Sequence, residues 1–247
     1  MQKVYLITGA NSDVGIAYLR KLEQSTSDEI IVLAHYHQNK SKLEELKNEV
    51  KHMEIRMLQA DLSSEEAVKH LIEDIKGTGL QVTHMLHIAA SKLDYMKIKQ
   101  WDSEKVRKEM QIQFFSFAEI CKEVLPAMAK NKYGRVAVVL TAALLGRPPK
   151  FMSSYVAVKG ALQSYIKAAA AEYGDKGIRI NGVAPNMMET DFLKNIDERI
   201  AQMTAENSAL KRNITVDETA EGIQMLLSDA VSYMNGSILN YSGGDYM

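Results

Sequence analysis

The chain has 247 residues and a formal net charge of −1 at pH 7, with 46% hydrophobic and 25% charged residues. This length can hold one large or two small domains, and the near-neutral charge gives no general attraction for nucleic acid or an acidic membrane. No run approaches the roughly 18 apolar residues that a membrane span needs. The single cysteine, Cys121, cannot form an internal disulfide, which suits a reducing cytoplasm. We therefore expect a cytoplasmic globular protein that binds neither nucleic acid nor membrane.

Seven apolar runs separated by helical patterns predict seven strands. Most of the runs are continuously apolar, which is typical of strands covered on both faces of a parallel sheet. They are residues 3–8, 30–35, 54–59, 82–89, 135–141, 178–184 and 237–241. This alternation predicts one α/β Rossmann domain over 1–247, a doubly wound seven-stranded parallel sheet with helices on both faces.

Two Ser/Thr-x-x-Glu patterns predict the starts of helices. Ser63 with Glu66 precedes the third helical pattern, and Thr215 with Glu218 precedes the last one. Each pair fits a capping box, in which each side chain accepts a hydrogen bond from the other residue's backbone N–H.

The first strand runs into a glycine turn. Residues 8–17 read Thr-Gly-Ala-Asn-Ser-Asp-Val-Gly-Ile-Ala and continue into a helical pattern. Such a turn points free backbone N–H groups and the positive end of a helix at a phosphate, and glycine lets the backbone approach a pyrophosphate closely. The sequence therefore predicts a dinucleotide site between Gly9 and Gly15.

Tyr155 and Lys159 lie four residues apart in a predicted helix. Side chains at this spacing share one helix face, roughly 5–6 Å apart, so we expect the ammonium to lower the phenol pKa from about 10. Tyr155 would then be a general acid near neutral pH. The spacing alone also fits an exposed tyrosine beside a solvated lysine, but the glycine turn favours the catalytic interpretation.

These motifs together resemble the short-chain dehydrogenase/reductase family over essentially the whole chain. Its motifs are Thr-Gly-x-x-x-Gly-x-Gly and Tyr-x-x-x-Lys, and three further landmarks, at residues 61–62, 179–185 and 236–244, follow in the family's order. The nearest subfamily is that of the 3-oxoacyl-carrier-protein reductases. The resemblance implies hydride transfer between a nicotinamide and a small-molecule carbonyl or secondary alcohol. It also implies a homodimer or homotetramer.

The resemblance assigns roles to individual residues. Tyr155 would protonate the substrate oxygen, and Lys159 would also hold the nicotinamide ribose. Thr141 takes the place of the family serine that polarises the carbonyl, and Gln111 takes the place of the catalytic asparagine. The segment 186–214 would cover the substrate as a lid, although a short helix packed on the surface fits it equally well. The predicted cofactor contacts are Gly9, Asn11, Ser12, Asp13, Val14, Gly15, His35, Asp61, Leu62, Ala89, Tyr155, Lys159, Pro185, Met188 and Thr190.

Several positions depart from the family pattern. Asp13 replaces the middle glycine, and we expect it to turn away from the pyrophosphate and cap the following helix. Residues 87–90 read His-Ile-Ala-Ala where the family has Asn-Asn-Ala-Gly, so only Ala89 matches. Because Thr141 and Gln111 are altered as well, the alternative function is a weak or inactive nucleotide-binding sensor of the same fold.

The end of the second strand bears on the cofactor. NAD-binding folds usually carry Asp or Glu there, whereas residues 34–37 read Ala-His-Tyr-His. His35, His37 and Lys40 could tolerate or attract a 2′-phosphate, so the sequence predicts NADP rather than NAD. The two histidines share one side of the strand, but without a third ligand nearby we expect no metal. His84 and His87 are expected at a strand end near the nucleotide.

Overall fold

Seven strands form one parallel sheet in the computed structural model, which describes residues 2–246. The sheet has the order β3-β2-β1-β4-β5-β6-β7, and every neighbouring pair runs parallel. This order confirms the predicted doubly wound sheet. The strands are β1 (Lys3–Thr8), β2 (Ile30–Tyr36), β3 (Met53–Gln59), β4 (His84–His87), β5 (Gly134–Val139), β6 (Ile178–Pro185) and β7 (Ile238–Tyr241).

Six of the eight α-helices of the described chain cover the two faces of this sheet. One hydrophobic layer packs α3, α5 and α6 against the sheet, and the other packs α1, α2 and α8. A π-helical turn, Gln111–Phe115, joins α4 to α5. The helices are α1 (Asp13–Ser25), α2 (Ser41–Glu49), α3 (Glu65–Gly77), α4 (Ser103–Met110), α5 (Ser116–Lys130), α6 (Ser153–Tyr173), α7 (Glu198–Asn207) and α8 (Val216–Leu227).

The continuous apolar runs follow from this two-sided covering. In β1, Leu6 packs into the layer of α5 and α6, while its neighbour Ile7 packs into the layer of α1 and α8, and both are fully buried. Successive side chains of a strand point to opposite faces, so each residue of a central strand needs an apolar side chain. The carboxyl ends of all seven strands therefore meet along one edge, and the loops that leave this edge can build a common site.

The predicted capping boxes have different outcomes. Thr215 caps α8 as predicted, since its hydroxyl accepts from the Glu218 N–H at 3.1 Å and the Glu218 carboxylate accepts from the Thr215 N–H at 2.9 Å. The prediction for Ser63 is wrong, because Ser64 caps α3 and accepts from the Ala67 N–H at 3.2 Å. Ser63 instead donates its N–H to Asp61 at 2.9 Å and belongs to the preceding turn.

Among residues 2–246, no helix is both long and apolar enough to cross a membrane.

The position of the α3 cap can be tested with a matched pair of variants. Ser64→Ala removes the acceptor for an N–H of the first helical turn and should lower the free energy of unfolding by about 1 kcal/mol. Ser63→Ala keeps that cap and should cost clearly less. Urea denaturation of both variants measures the difference, and a larger loss for Ser63→Ala would contradict this assignment.

Candidate active site

A cleft of about 710 Å³ lies along the carboxyl edge of the sheet. It contains both the glycine turn and the Tyr155–Lys159 pair, which are far apart in the sequence. Of the predicted site residues, Gly15 and Gln111 do not line it. The predicted residues that do are Gly9, Asn11, Ser12, Asp13, Val14, His35, Asp61, Leu62, Ala89, Thr141, Tyr155, Lys159, Pro185, Met188 and Thr190.

Two glycines allow the first turn its shape. Gly9 has φ +71°, and a Cβ atom there would lie 3.0 Å from the backbone of Ala89. A Cβ atom on Gly15 would lie 2.4 Å from the carbonyl oxygen of Ala10, so Gly15 serves the packing of the turn onto α1. Gly9 and the first turn of α1 therefore border the same cleft. This cradle fits a pyrophosphate.

Asp13 does not cap α1, so that prediction is wrong. Ser12 is the cap and accepts from the Gly15 N–H at 3.2 Å. The Asp13 carboxylate instead pairs with the Lys42 ammonium at 2.5 Å and accepts from the Asp191 N–H at 2.9 Å. Lys42 therefore compensates the charge that Asp13 brings to the turn.

His35 links the glycine turn to the strand ends. Its Nδ1 accepts from the Gly9 N–H at 3.1 Å, and its Nε2–H donates to the Ala60 carbonyl at 3.1 Å. Burial lowers the pKa of His35 to about 4, so the ring is neutral at pH 7. A neutral His35 can tolerate a 2′-phosphate but does not attract it by charge. With both ring nitrogens bonded to protein, His35 has no nitrogen left for zinc.

The other residues near the end of β2 differ in exposure and pairing. His37 lines the cleft about half exposed, with its Nε2 3.6 Å from the Asp61 carboxylate. Lys40 pairs with Glu44 at 2.8 Å on the surface. His37 is thus better placed than Lys40 to meet the ribose of an adenosine near Asp61.

The two histidines of β4 lie at opposite ends of the strand. His87 is at the carboxyl end beneath the cleft, with Nδ1 2.7 Å from the Thr8 hydroxyl and Nε2 2.8 Å from the Gln113 carbonyl. His84 is at the other end, stacked on Tyr5, so its predicted place near the nucleotide is wrong. β4 runs from one edge of the sheet to the other, so only its carboxyl end, with His87, reaches the cleft.

Tyr155 and Lys159 share one face of α6, as their spacing predicts. However, burial raises the pKa of Tyr155 to about 12, and the weaker opposing influence is the Thr141 hydroxyl. The Lys159 Nζ lies 6.0 Å from the centre of the phenol ring and donates to the Val139 carbonyl at 2.7 Å. The prediction that Lys159 brings the Tyr155 pKa down is therefore wrong for this structure.

Lys159 is itself perturbed by its position. Its side chain is buried under the sheet edge, and desolvation lowers its pKa from 10.5 to about 8, against the opposing charge of Glu109. An ammonium with this pKa is still mostly protonated at pH 7. The cleft therefore has a cation in its floor at neutral pH.

Thr141 presents a hydroxyl to the same floor. Its Oγ1 accepts from the Ala143 N–H at 3.3 Å, which leaves the hydroxyl hydrogen free to donate. Thr141 follows Leu140, the first residue after β5. Its hydroxyl lies near the Tyr155 phenol. The pair can therefore direct two O–H groups at one acceptor oxygen.

A family model described as enoyl-(acyl carrier protein) reductase matches residues 9–245 of this chain. The chain belongs to the short-chain dehydrogenase/reductase family. It is thus an oxidoreductase of a family that uses NAD or NADP. An uncharacterized oxidoreductase of Bacillus subtilis, YmfI, is 28% identical over 248 residues, 99% of each chain. The 3-oxoacyl-[acyl-carrier-protein] reductase FabG of Staphylococcus epidermidis is 26% identical over 255 residues, covering both chains fully.

A likeness to solved structures supports the fold of this short-chain dehydrogenase/reductase. The structure of ElxO with NADP bound has a TM-score of 0.84 and 23% identity, and the match covers 99% of this chain and 98% of that one. At that identity the likeness concerns the fold.

Gln111, predicted to replace the family asparagine, lies apart from the catalytic pair. Its Nε2 is 3.4 Å from the Leu62 carbonyl. Gln113 instead is 2% exposed and lines a small cavity with Tyr155. Residues two apart in a helix point to nearly opposite sides, and the π-helical turn changes the register at this point. Counting residues from Trp101 assumes a regular α-helix and therefore could not reveal this change of register.

The segment 186–214 lies over the cleft. It contains a short 3₁₀ turn, Asp191–Leu193, followed by α7. The Phe192 ring centre is 6.0 Å from that of Tyr155, and the Phe192 carbonyl accepts from the Leu93 N–H at 3.0 Å. Ile200 of α7 also lines the cleft. Part of the segment therefore lines the cleft that the predicted lid would cover.

Sequence reasoning missed several residues at the far end of the cleft. They come from four separate segments, and nothing in their local patterns marks them. They include Leu93, Tyr95, Met152, Ile200 and Tyr246. Because each is a common apolar or aromatic residue, only the folded chain shows that they share one wall.

The buried charge of Lys159 should lower stability near neutral pH. Its pKa is depressed in the folded state, so the cost is fully present below pH 8 and fades as pH rises toward 10.5. Lys159→Met should therefore raise the free energy of unfolding at pH 7 by about 1–3 kcal/mol, a gain that shrinks above pH 8.

Urea denaturation at pH 7 and pH 10 measures this effect. Lys167→Met, on the exposed side of the same helix, is the matched control and should change stability little at either pH. A Lys159→Met variant that is no more stable than the parent at pH 7 would contradict the buried-charge interpretation.

Proposed function

We propose that the protein is an NADP-dependent reductase of a carbonyl compound, or a dehydrogenase of the matching secondary alcohol. The observation that carries this proposal is the meeting of Thr141, Tyr155 and Lys159 in the cleft that also holds the glycine turn. Two hydroxyls and an ammonium beside a dinucleotide cradle suit the reduction of a polar double bond.

The residues of the cleft fit a bound dinucleotide in a definite direction. The turn from Gly9 to Val14 would hold the pyrophosphate, and Asp61 with Leu62 would contact the adenine. Pro185, Met188 and Thr190 would hold the nicotinamide end, together with Ala89 and Lys159. When bound, the nicotinamide supplies or accepts the hydride.

Tyr155 is proposed as the proton donor. A phenol with a pKa of about 12 keeps its proton until the carbonyl oxygen gains negative charge, and an alkoxide is a stronger base than a phenolate. Thr141 would polarise the carbonyl by donating its free hydroxyl hydrogen. Lys159 would hold the nicotinamide ribose beside this pair, as the family resemblance implies.

The preference for NADP is proposed from the loop after β2. His37, Gln38 and Asn39 line the cleft there, and none carries the carboxylate that would repel a 2′-phosphate. ElxO, a protein of the same fold, binds NADP, which supports the choice.

The substrate is proposed to be a ketone with an apolar body, such as a 3-oxoacyl compound. Met152, Ile200, Leu93 and Tyr95 give the far end of the cleft an apolar wall. The name of the FabG relative agrees with a 3-oxoacyl group. We further propose a homodimer or homotetramer, from the family resemblance. A cytoplasmic location is proposed from the free, buried Cys121, which suits a reducing compartment.

A nucleotide-binding sensor without turnover is the second candidate. Threonine in place of serine and the displaced Gln111 favour it, since both alter the support of the catalytic pair. Binding of NADPH with no oxidation across a panel of ketones, aldehydes and acyl thioesters would support the sensor.

Replacing the proton donor tests the enzyme directly. Tyr155→Phe should lower kcat about 10²–10⁴-fold, because the carbonyl oxygen loses its acid, while NADPH binds nearly as before. Stopped-flow fluorescence measures NADPH binding and absorbance at 340 nm measures turnover. Tyr165→Phe, nearer the C-terminus of the same helix, should keep full activity. Turnover that survives in Tyr155→Phe would remove Tyr155 from the chemistry.

Cofactor choice can be tested at the end of β2. His37→Asp places a carboxylate where NAD-binding folds carry one, and it should weaken NADPH binding about tenfold or more relative to NADH. Lys40→Gln, at the residue that pairs with Glu44 on the surface, should change neither affinity. Fluorescence titration with each nucleotide measures the two affinities. An unchanged ratio of NADPH to NADH affinity in His37→Asp would argue against the proposed 2′-phosphate position.

A further inference from the structure

Four charged side chains connect the glycine turn, α2 and the segment 186–214. The Lys42 ammonium lies 2.5 Å from the Asp13 carboxylate and 3.6 Å from the Asp191 carboxylate. The other oxygen of Asp191 lies 2.8 Å from the Lys194 ammonium. Each carboxylate therefore has its own nearest cation, and the cation that serves the glycine turn is Lys42.

The members of this cluster differ in how they face the cleft. Asp13, Lys42 and Asp191 line it together with the glycine turn, whereas Lys194 does not line it. The Asp13 side chain is only 26% exposed, while that of Lys194 is 59% exposed. A charge on Asp13 or Lys42 therefore acts on an anion bound at the turn, while the charge of Lys194 is largely screened by solvent.

The charge of Asp13 conflicts with the anion site at the start of α1. Among residues 2–246, the backbone N–H groups of Asp13 and Val14 have no hydrogen-bond acceptor, so a phosphate could accept from them. The Asp13 carboxylate, only a side chain away from these N–H groups, would repel the same phosphate. The family motif has glycine at this position and no such charge. Lys42 therefore meets a need that this chain has and the family motif does not.

Asp13 also holds the segment 186–214 against the turn. Its Oδ2 accepts from the Asp191 N–H at 2.9 Å, while its Oδ1 pairs with Lys42. The two oxygens thus serve the 3₁₀ turn Asp191–Leu193 and helix α2 separately. Without the ammonium that they share, the Asp13 and Asp191 carboxylates would repel each other and weaken the hydrogen bond between their residues.

We propose that Lys42 is a positioning residue of the cofactor site, whose ammonium cancels the charge of Asp13. This cancellation lets the glycine turn hold a pyrophosphate and keeps Asp191 bonded to that turn. The inference rests on the proposed function for the nature of the ligand, a dinucleotide. It assigns Lys42 to the pyrophosphate end and not to the 2′-phosphate, because its nearest partner, Asp13, belongs to the turn.

Nucleotide affinity in a double-mutant cycle tests the effect of the charge. Lys42→Met should weaken the binding of NADPH and of NADH by the same factor, about five- to tenfold, because it leaves Asp13 unopposed. In Asp13→Asn there is no charge to cancel, so adding Lys42→Met should cost less than about twofold. Lys194→Met makes the same change in net charge outside the cleft and should leave both affinities nearly unchanged. Fluorescence titration measures each Kd.

Hydrogen exchange in the protein without nucleotide gives the second readout. Lys42→Met should speed the exchange of the Asp191 amide several-fold, and Asp13→Ala, which removes the acceptor, should do so as well. Asp13→Asn keeps an acceptor oxygen and should exchange like the parent, with or without Lys42→Met. Mass spectrometry of peptides that contain residue 191 measures the rates, and Lys42→Gln replaces Lys42→Met if the latter does not fold.

Four results would overturn the inference. A loss confined to NADPH in Lys42→Met would place Lys42 at the 2′-phosphate. An equal cost of Lys42→Met in the parent and in Asp13→Asn would mean that Lys42 acts on the ligand without Asp13. An equal loss in Lys194→Met would indicate a general effect of net charge, and unchanged exchange at Asp191 in Lys42→Met would separate Lys42 from the segment 186–214.

A failure of the proposed function has a different signature. NADPH binding without turnover would refute the reductase and leave the affinity cycle measurable. Because hydrogen exchange is read without nucleotide, a protein that binds no dinucleotide would still show whether Lys42 keeps Asp191 bonded to the glycine turn.

Discussion

The cleft depends on one unfavourable placement, an ammonium group buried where the carboxyl ends of β5 and β6 meet α6. Lys159 donates to the Val139 carbonyl at 2.7 Å and is 4% exposed, so the end of β5 fixes the cation before any ligand binds. Burying a charge is costly unless it is hydrogen-bonded and paired. The hydrogen bond to the Val139 carbonyl and the neutral form of the nearby His87 both reduce this cost.

Two buried histidines form structural hydrogen bonds at the ends of the strands. His35 joins the glycine turn to the residue after β3, and His87 joins β1 to the π-helical turn before α5. Each uses one nitrogen as donor and the other as acceptor, which only the neutral ring can do. Burial lowers both pKa values far below 7, and that neutrality prevents repulsion with Lys159. The segment of residues 87–90, which departs from the family pattern, therefore still fixes the loop next to the cleft.

Most of the fold was predictable because it follows from periodic patterns. Continuous apolar runs gave the strands within one or two residues at most ends, and Tyr155 and Lys159 share a face because a helix places i and i+4 together. The errors arose where a contact between distant residues decides the outcome. Asp13 has its partners in α2 and the lid, so a local capping rule could not describe it. Gln113, rather than Gln111, lines the small cavity beside Tyr155, at a π-helical turn that no sequence pattern marks. Burial, invisible in the sequence, reversed the expected shift of the Tyr155 pKa.

The contacts that hold the segment 186–214 differ in strength between its ends and its middle. At its start, Met188 packs into the core and accepts from the Thr219 hydroxyl, while at its end the Ile214 N–H donates to the Met187 carbonyl. In between, Asp191 contacts partly or fully exposed groups: its N–H donates to the Asp13 carboxylate, and its carboxylate lies 2.8 Å from the Lys194 ammonium and 3.6 Å from that of Lys42. Exposed ion pairs contribute about 0–1 kcal/mol, far less than buried packing. The middle of the segment is also held by the Leu93 N–H bond to the Phe192 carbonyl and by Phe192 against Tyr155, so its exposed ion pairs add to contacts made inside the cleft.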